Sequence, residues 1–330
     1  MAKNKRNNNH QTEIINARSA LPTLIFVFLL LASFATSNAQ PIVPGDEAIG
    51  RWNLTFETAE GTSPGWLEIK KSGFRTLTGS YVGAEGSARP ISHVIYSEEN
   101  ETYSFSIPPQ WKNQDRYLEF EFILEDEIIK GNALIGNERF PMTGKRAPDL
   151  HRDAPTVWGE PYSLIDEHMS HWVIPKNNRF QMRDGVLVNE DVGGNLVTNE
   201  VFDDLKLHAT FRYPEGSNSG IYLRGRYEVQ IIDSYGEPVN DLILGGIYGF
   251  LEPSVNAGKK AGEWQTMDIT FIGRHVTVVL NGTTIINNRI IPGITGGALD
   301  SNEGEPGPIM IQGDHGPVEF KKLIITPAIN

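Results

Sequence analysis

Two runs in the second half of the chain alternate apolar and polar side chains without a break. Across residues 205–212, Leu205, Leu207, Ala209 and Phe211 fall on one side, with Lys206, His208, Thr210 and Arg212 on the other. Residues 264–272 repeat the pattern with Met267, Ile269 and Phe271 as the apolar set. A period of two is what a strand with one buried face requires, and no window of the chain sustains the 3.6-residue period of a helix. Residues 275–282 end in Asn281-Gly282, the strongest short hairpin signal, with a return strand from Thr283. Further strands are expected at 308–312 and 318–325, and residues 164–172 leave room for one helical turn. The chain is therefore expected to be all-β, with a C-terminal domain made of a pair of antiparallel sheets packed face to face.

The N-terminal half is also a series of short strands, clearest at 66–69, 77–82, 94–96, 103–107, 117–123 and 127–135, with Gly-containing turns between them. That spacing fits a small β-sandwich or barrel over residues 46–147. A polar stretch holding Pro148 and Pro155 marks a linker at 148–157, leaving 158–330 as the second domain. The first 39 residues carry Lys3, Lys5, Arg6 and Arg18, then an apolar run at 24–32, then small residues ending Ser37-Asn-Ala39. This order is that of a secretory signal peptide, and the apolar run is shorter than the ~20 residues a membrane span needs. A secreted or periplasmic bacterial protein is expected, with no membrane attachment after cleavage. The net charge of −12 argues against nucleic acid as a partner. With no cysteine among 330 residues, disulfides, thiolate metal sites and a thiol nucleophile are excluded.

The most informative polar pattern lies in residues 218–236. Read as one strand, it places Tyr222, Arg224, Arg226, Glu228 and Gln230 on one face and Leu223, Gly225, Tyr227, Val229 and Ile231 on the other. The second set is a core face. The first offers guanidiniums, a carboxylate, an amide and a phenol, an inventory suited to a hydroxyl-rich ligand such as a sugar. The competing readings are a solvated sheet face and a plain ion pair between Glu228 and one of the arginines. Phosphate loops, dinucleotide fingerprints, nucleophile elbows and H-E-x-x-H pairs are all missing from the sequence.

From residue 158 onward the chain resembles the 3-keto-disaccharide hydrolase family, whose members share a concanavalin A-like lectin and glucanase sandwich. The resemblance is carried by separate blocks in the right order: 184–187, 193–198, 202–207, Asn218-Ser-Gly-Ile221, Arg226 to Asp233, and Gly246-Ile-Tyr-Gly249. It continues through Asn256, Lys259, Gly262-Glu-Trp264, Asn281-Gly282 and Gln312 to Asp314-His-Gly-Pro-Val318.

The resemblance implies cleavage of the glycosidic bond of a sugar already oxidised to a ketone at carbon 3. Such a ketone acidifies the proton on carbon 2, so a base can form an enolate and the carbon 1 substituent can leave, with water adding back afterwards. The matching positions offer Glu228 as base, His315 as a second proton-transfer group, and Tyr248 and Lys259 as proton donors. Tyr222, Arg224, Arg226, Gln230, Asp233 and Trp264 are the candidates for holding substrate, Trp264 by stacking. The sequence makes no cofactor certain, and the chemistry needs a cation or donor for the developing enolate oxygen. A divalent cation such as Ca²⁺ has two candidate sets, Glu228 with Asp233 and His315, or the loop carboxylates Glu303 and Glu305. The alternative on the same fold is a lectin-like binding module without turnover.

Overall fold

A computed structural model describes residues 43–110 and 117–329, and the expected leader at 1–39 lies outside them. Residues 42–330 form one compact unit. Within it, eight antiparallel strands run in chain order from Gly50–Thr58 to Glu138–Arg146, each bonded to the next. The first also pairs with the last, Leu54 standing between Gly65 on one side and Gly144 on the other. The result is a closed barrel, which leaves no sheet edge for a second chain to extend.

The barrel interior is filled. Trp52, Leu54, Phe56, Leu67, Tyr81, Phe105, Phe120 and Met142 pack in its centre, with the Phe105 and Phe120 rings stacked at 4.4 Å between centroids. Along Gly61–Ser72, Leu67 and Ile69 point inward, so Trp66 points out. It is nevertheless fully buried, because it belongs to the core of the C-terminal sandwich, as does Val82. Its ring meets Phe250 edge-on at 5.3 Å.

The sandwich is built from two sheets. The smaller runs Trp172–Val173, Leu196–Thr198, Met310–Ile311, Asn218–Leu223 and Tyr227–Ile232 in spatial order. The larger includes Val318–Pro327, Leu205–Arg212, Gln265–Ile272, His275–Leu280 and Thr283–Ile290 as consecutive neighbours. Leu205, Leu207, Ala209 and Phe211 are buried, and so are Met267, Ile269 and Phe271 opposite them. The Asn281-Gly282 hairpin forms with both residues in the left-handed region, φ 51° and 81°.

Two sequence expectations change. Residues 164–172 form turns, not a helical turn. The Asp166 carboxylate accepts the backbone N–H groups of His168 and Ser170, so a side chain takes donors that a helix would pair with carbonyls. Beside these lie two turn bonds, from Met169 to the Asp166 carbonyl and from Trp172 to the Met169 carbonyl. The segment 148–157 is held at Pro148 and Arg152. Pro148 accepts from Arg274, and Arg152 makes a bidentate pair with Asp204 at 2.8 Å per bond.

The second change concerns the polar row. Residues 218–236 are a hairpin, Asn218–Leu223 returning as Tyr227–Ile232. The turn is closed by the Arg226 N–H donating to the Leu223 carbonyl at 3.1 Å, with Arg224 at φ 53° and Gly225 at φ 66°. Tyr222 pairs with Glu228 and Gly220 with Gln230. Even-numbered residues therefore share a face on both arms, which is why the alternation passes through the turn undisturbed.

Trp66 is the barrel's anchor in the sandwich core. Trp66→Ala is expected to cost about 3–5 kcal/mol, measured as a lower midpoint in urea unfolding; a change below ~1 kcal/mol would mean that the two cores are not coupled.

Candidate active site

The odd-numbered face of the hairpin, with Ile221, Leu223, Tyr227, Val229 and Ile231, packs into the sandwich core. The even-numbered face opens on a cavity of about 510 Å³ lined by Tyr222, Glu228 and Gln230. Asn195, Asn218, Gln312, Asp314 and His315 bound it from neighbouring strands and loops, with Tyr248, Gly296, Gly297 and the barrel residues Glu85 and Gly86 completing the wall.

Glu228 is the centre of this cavity. It is 3% exposed and has no cationic partner within ion-pair distance among the described residues. Its Oε2 accepts from the Tyr222 hydroxyl at 2.8 Å, and that hydroxyl also lies 3.0 Å from the Gly296 carbonyl. Room for the carboxylate is made by Gly220, where a Cβ would lie 2.4 Å from Glu228 Oε1. The backbone is fixed as well, since the Glu228 N–H donates to Thr295 Oγ1 at 3.0 Å. Burial pushes the Glu228 carboxyl up to about 8; the Tyr222 hydrogen bond and the charge on His315 oppose this, while Asp314 adds to it.

One hydroxyl hydrogen serves two acceptors at Tyr222. With Glu228 protonated, a directed chain runs from the carboxyl to Tyr222 and on to the Gly296 carbonyl, and every group is satisfied. With Glu228 ionised, Tyr222 turns its hydrogen to the carboxylate and gives up Gly296. Burial and the charge of Glu228 hold the Tyr222 phenol far above its ordinary value, so it remains a donor.

His315 and Asp314 stand at the mouth. Their side chains meet at 2.6 Å through Nδ1 and Oδ1 and are about half exposed. The Asp314 hydrogen bond, with the charges of Asp314, Glu228 and Glu85, holds the imidazole above the usual histidine value despite partial burial. Tyr248 is pushed up to about 12, chiefly by burial and then by the charges of Glu228 and Asp241. Three amide oxygens on the wall, those of Asn218, Gln230 and Gln312, are buried without a hydrogen-bond partner. Buried amide groups rarely go unpaired, and here three such residues stand in the wall of one cavity.

Of the residues expected from the sequence, Tyr222, Glu228, Gln230, Tyr248 and His315 line this cavity. Arg224, Arg226, Asp233, Lys259 and Trp264 do not. Arg224 leaves the strand at the turn and is fully buried against Asp203, at 3.0 Å, and the Glu303 carbonyl. Arg226 grips Asp300 with two bonds of 2.7 and 3.2 Å, so neither arginine pairs with Glu228. Asp233 accepts the Gly216 N–H. Lys259 donates to the Trp264 carbonyl, and the Trp264 face is covered by the Arg212 guanidinium at 4.7 Å.

The cation sets also come apart. Asp233 lies outside the cavity that holds Glu228 and His315. Glu303 is fully buried, both oxygens paired with Arg274 at 2.7 Å and one also receiving Tyr227. Among the described residues no group of three or more His, Asp and Glu side chains is placed to hold a metal ion. Asn195, Asn218, Gln312 and Asp314 were within reach of the sequence, because they sit in or beside the family-like blocks. Glu85, Gly86, Gly296 and Gly297 carried no such signal.

An all-β sandwich with a buried, uncompensated carboxylate in a cavity of amides and phenols defines a carbohydrate-active protein. The chain belongs to the family described as the 3-keto-alpha-glucoside-1,2-lyase-like domain, whose model matches residues 160–326, half of its length. No curated protein matches it. Among solved structures, two crystal structures described as candidate glycosyl hydrolases of Parabacteroides distasonis are similar to it. One is 28% identical, covering 53% of this chain and 92% of its own, with a TM-score of 0.43. The other is 24% identical, covering 51% and 98%, with a TM-score of 0.42.

A raised carboxyl pKa makes folding weaker as pH climbs from the unfolded value towards 8, because the native state holds the proton that the unfolded chain has released. Glu228→Gln removes that penalty. The variant is expected to gain stability over wild type progressively between about pH 4.5 and 8, then at a constant margin; thermal unfolding across that range would count against this environment if the two melting curves stayed parallel.

Proposed function

We propose that this chain is an exported enzyme that cleaves 3-keto-glycosides, including 3-keto-disaccharides, by elimination followed by hydration. The observation that carries this reading is Glu228, a carboxyl held at about 8 in a cavity shaped for hydroxyl groups. A base of that strength suits a carbon acid activated by a neighbouring ketone. Family membership supports the same substrate class. The leader-like first 39 residues support export.

In the proposed reaction the sugar ring sits against Tyr222, Gln230, Asn218 and Gln312. Glu228 removes the proton from carbon 2. The electron pair forms the double bond between carbons 1 and 2 as the bond from carbon 1 to the leaving oxygen breaks. His315, held as an imidazolium by Asp314, gives that oxygen its proton. Glu228 then releases its proton to solvent and His315 regains one from it, and water adds across the new double bond, its hydroxide to carbon 1 and its proton to carbon 2, giving the free 3-keto-sugar. Tyr222 keeps its hydroxyl on the Glu228 carboxylate before abstraction and passes it back to Gly296 afterwards, so the proton Glu228 acquires is accommodated without an unpaired group.

Glu228→Gln is expected to lower kcat/KM on a 3-keto-glucoside by ~100-fold or more, and His315→Ala by about 100-fold. In wild type kcat/KM is expected to rise about tenfold per pH unit on its acid limb, as Glu228 in the free enzyme loses its proton, and to fall on its alkaline limb as His315 loses its own. Unchanged cleavage in both variants would reject these assignments, and binding without cleavage by wild type would favour the lectin-like reading. Intact mass of the protein recovered after export is expected to correspond to a start near Gln40; retention of the leader would contradict the localisation.

A further inference from the structure

The barrel contributes directly to the cavity. Its loop at residues 83–88, between strands Thr76–Val82 and Arg89–Ser97, brings Glu85 and Gly86 to the wall that faces Glu228 and His315. The loop is seated by contacts on both sides of Glu85. Ahead of it, the Ala84 carbonyl accepts the Gly297 N–H at 2.8 Å. Behind it, Gly86 lies so close to Gly296 that a Cβ on Gly296 would stand 2.2 Å from the Gly86 carbonyl oxygen. Ser87 and Ala88 then pack against Gly249, beside the cavity residue Tyr248. Gly296 is also the residue whose carbonyl meets Tyr222. The loop therefore docks on the same short segment that holds the Tyr222–Glu228 pair.

Glu85 itself is exposed and takes part in no ion pair among the described residues, so its position is not explained by holding the fold together. The floor of the cavity, at Tyr222 and Glu228, is buried, whereas Glu85, Asp314 and His315 stand at its mouth. With carbon 2 at Glu228 and the leaving oxygen at His315, as in the proposed reaction, the carbon 1 substituent lies toward the mouth and these groups. A free carboxylate there accepts hydrogen bonds from hydroxyls and offers nothing to an apolar or very small substituent.

We propose that Glu85, presented by the N-terminal barrel, binds the leaving group and selects for a hydroxyl-rich one, namely a second sugar. This rests on the reading of the cavity as a 3-keto-glycoside site. The barrel is then a substrate-recognition element, in addition to its packing role. Glu85 is also near enough to His315 to help keep the imidazole protonated, and that influence falls on every substrate alike. The two roles are separable by varying the leaving group.

The experiment compares wild type, Glu85→Ala and Glu85→Gln on a 3-keto-disaccharide and on methyl 3-keto-glucoside. Loss of one hydrogen bond to a charged group corresponds to about tenfold. Glu85→Ala is expected to lose about tenfold more in kcat/KM on the disaccharide than on the methyl glycoside, with Glu85→Gln between. Equal losses on both substrates would assign Glu85 to tuning His315, and no loss on either would leave it outside the site; each overturns the proposal. Calorimetric binding of the unoxidised disaccharide and methyl glucoside to the same proteins needs no turnover. Wild type is expected to prefer the disaccharide, and Glu85→Ala to lose that preference. If wild type cleaves neither keto substrate, the reaction assignment fails while this affinity ratio still judges Glu85, and absence of the preference in wild type overturns its role.

Discussion

The cross-strand pair of Glu228 and Tyr222 is the interaction on which the site depends. A carboxylate taken out of water without a cation must either gain hydrogen bonds or take up a proton. Here it does both by turns, because the phenol opposite can donate to it or accept from it. The pairing follows from the register of one hairpin, which sets the two residues directly across from each other. The lack of a side chain at Gly220 opens the space into which the carboxylate fits. The two arginines that might have neutralised it are committed to Asp203 and Asp300.

Those arginines show how the fold protects this environment. Arg224 and Arg226 fasten the segment around 300–305, and the buried Arg274–Glu303 pair fastens it again from the other side. The neighbouring 295–297 segment is thereby held against the hairpin, its Thr295 bonding to both Arg226 and Glu228. The barrel closes the remaining side. Trp66 enters the sandwich core and the 83–88 loop lies on Gly296 and Gly297. The supports of Glu228 are thus divided between strands and loops brought in from distant stretches of the chain.

This division explains what could be read in the sequence. Alternation identified the strands of both halves and the sidedness of the hairpin, since a strand has only two faces. It placed Tyr222, Glu228 and Gln230 together correctly for a reason that had nothing to do with a single strand: the pairing sums are even, so parity survives the turn. The same parity rule misplaced Arg224 and Arg226, because Leu-Arg-Gly-Arg lacks the Asn-Gly that marks the later hairpin, and the backbone leaves extended geometry at Arg224. Barrel closure between the first and last strands depends on a long-range pairing that no local pattern encodes. Glu85 was illegible for the same reason: more than a hundred residues separate it from Glu228, and only the packing of the barrel on the sandwich makes them neighbours.

The path of hydrogen at carbon 2 separates proton abstraction by Glu228 from direct displacement at carbon 1. The decisive measurement is the deuterium content at carbon 2 of the 3-keto-sugar released from a protiated 3-keto-glycoside in deuterium oxide, read after a single turnover and corrected for exchange without protein. Elimination and hydration through Glu228 require deuterium at that carbon. Full retention of the original hydrogen, with cleavage at normal rate, would contradict the role assigned to this carboxylate.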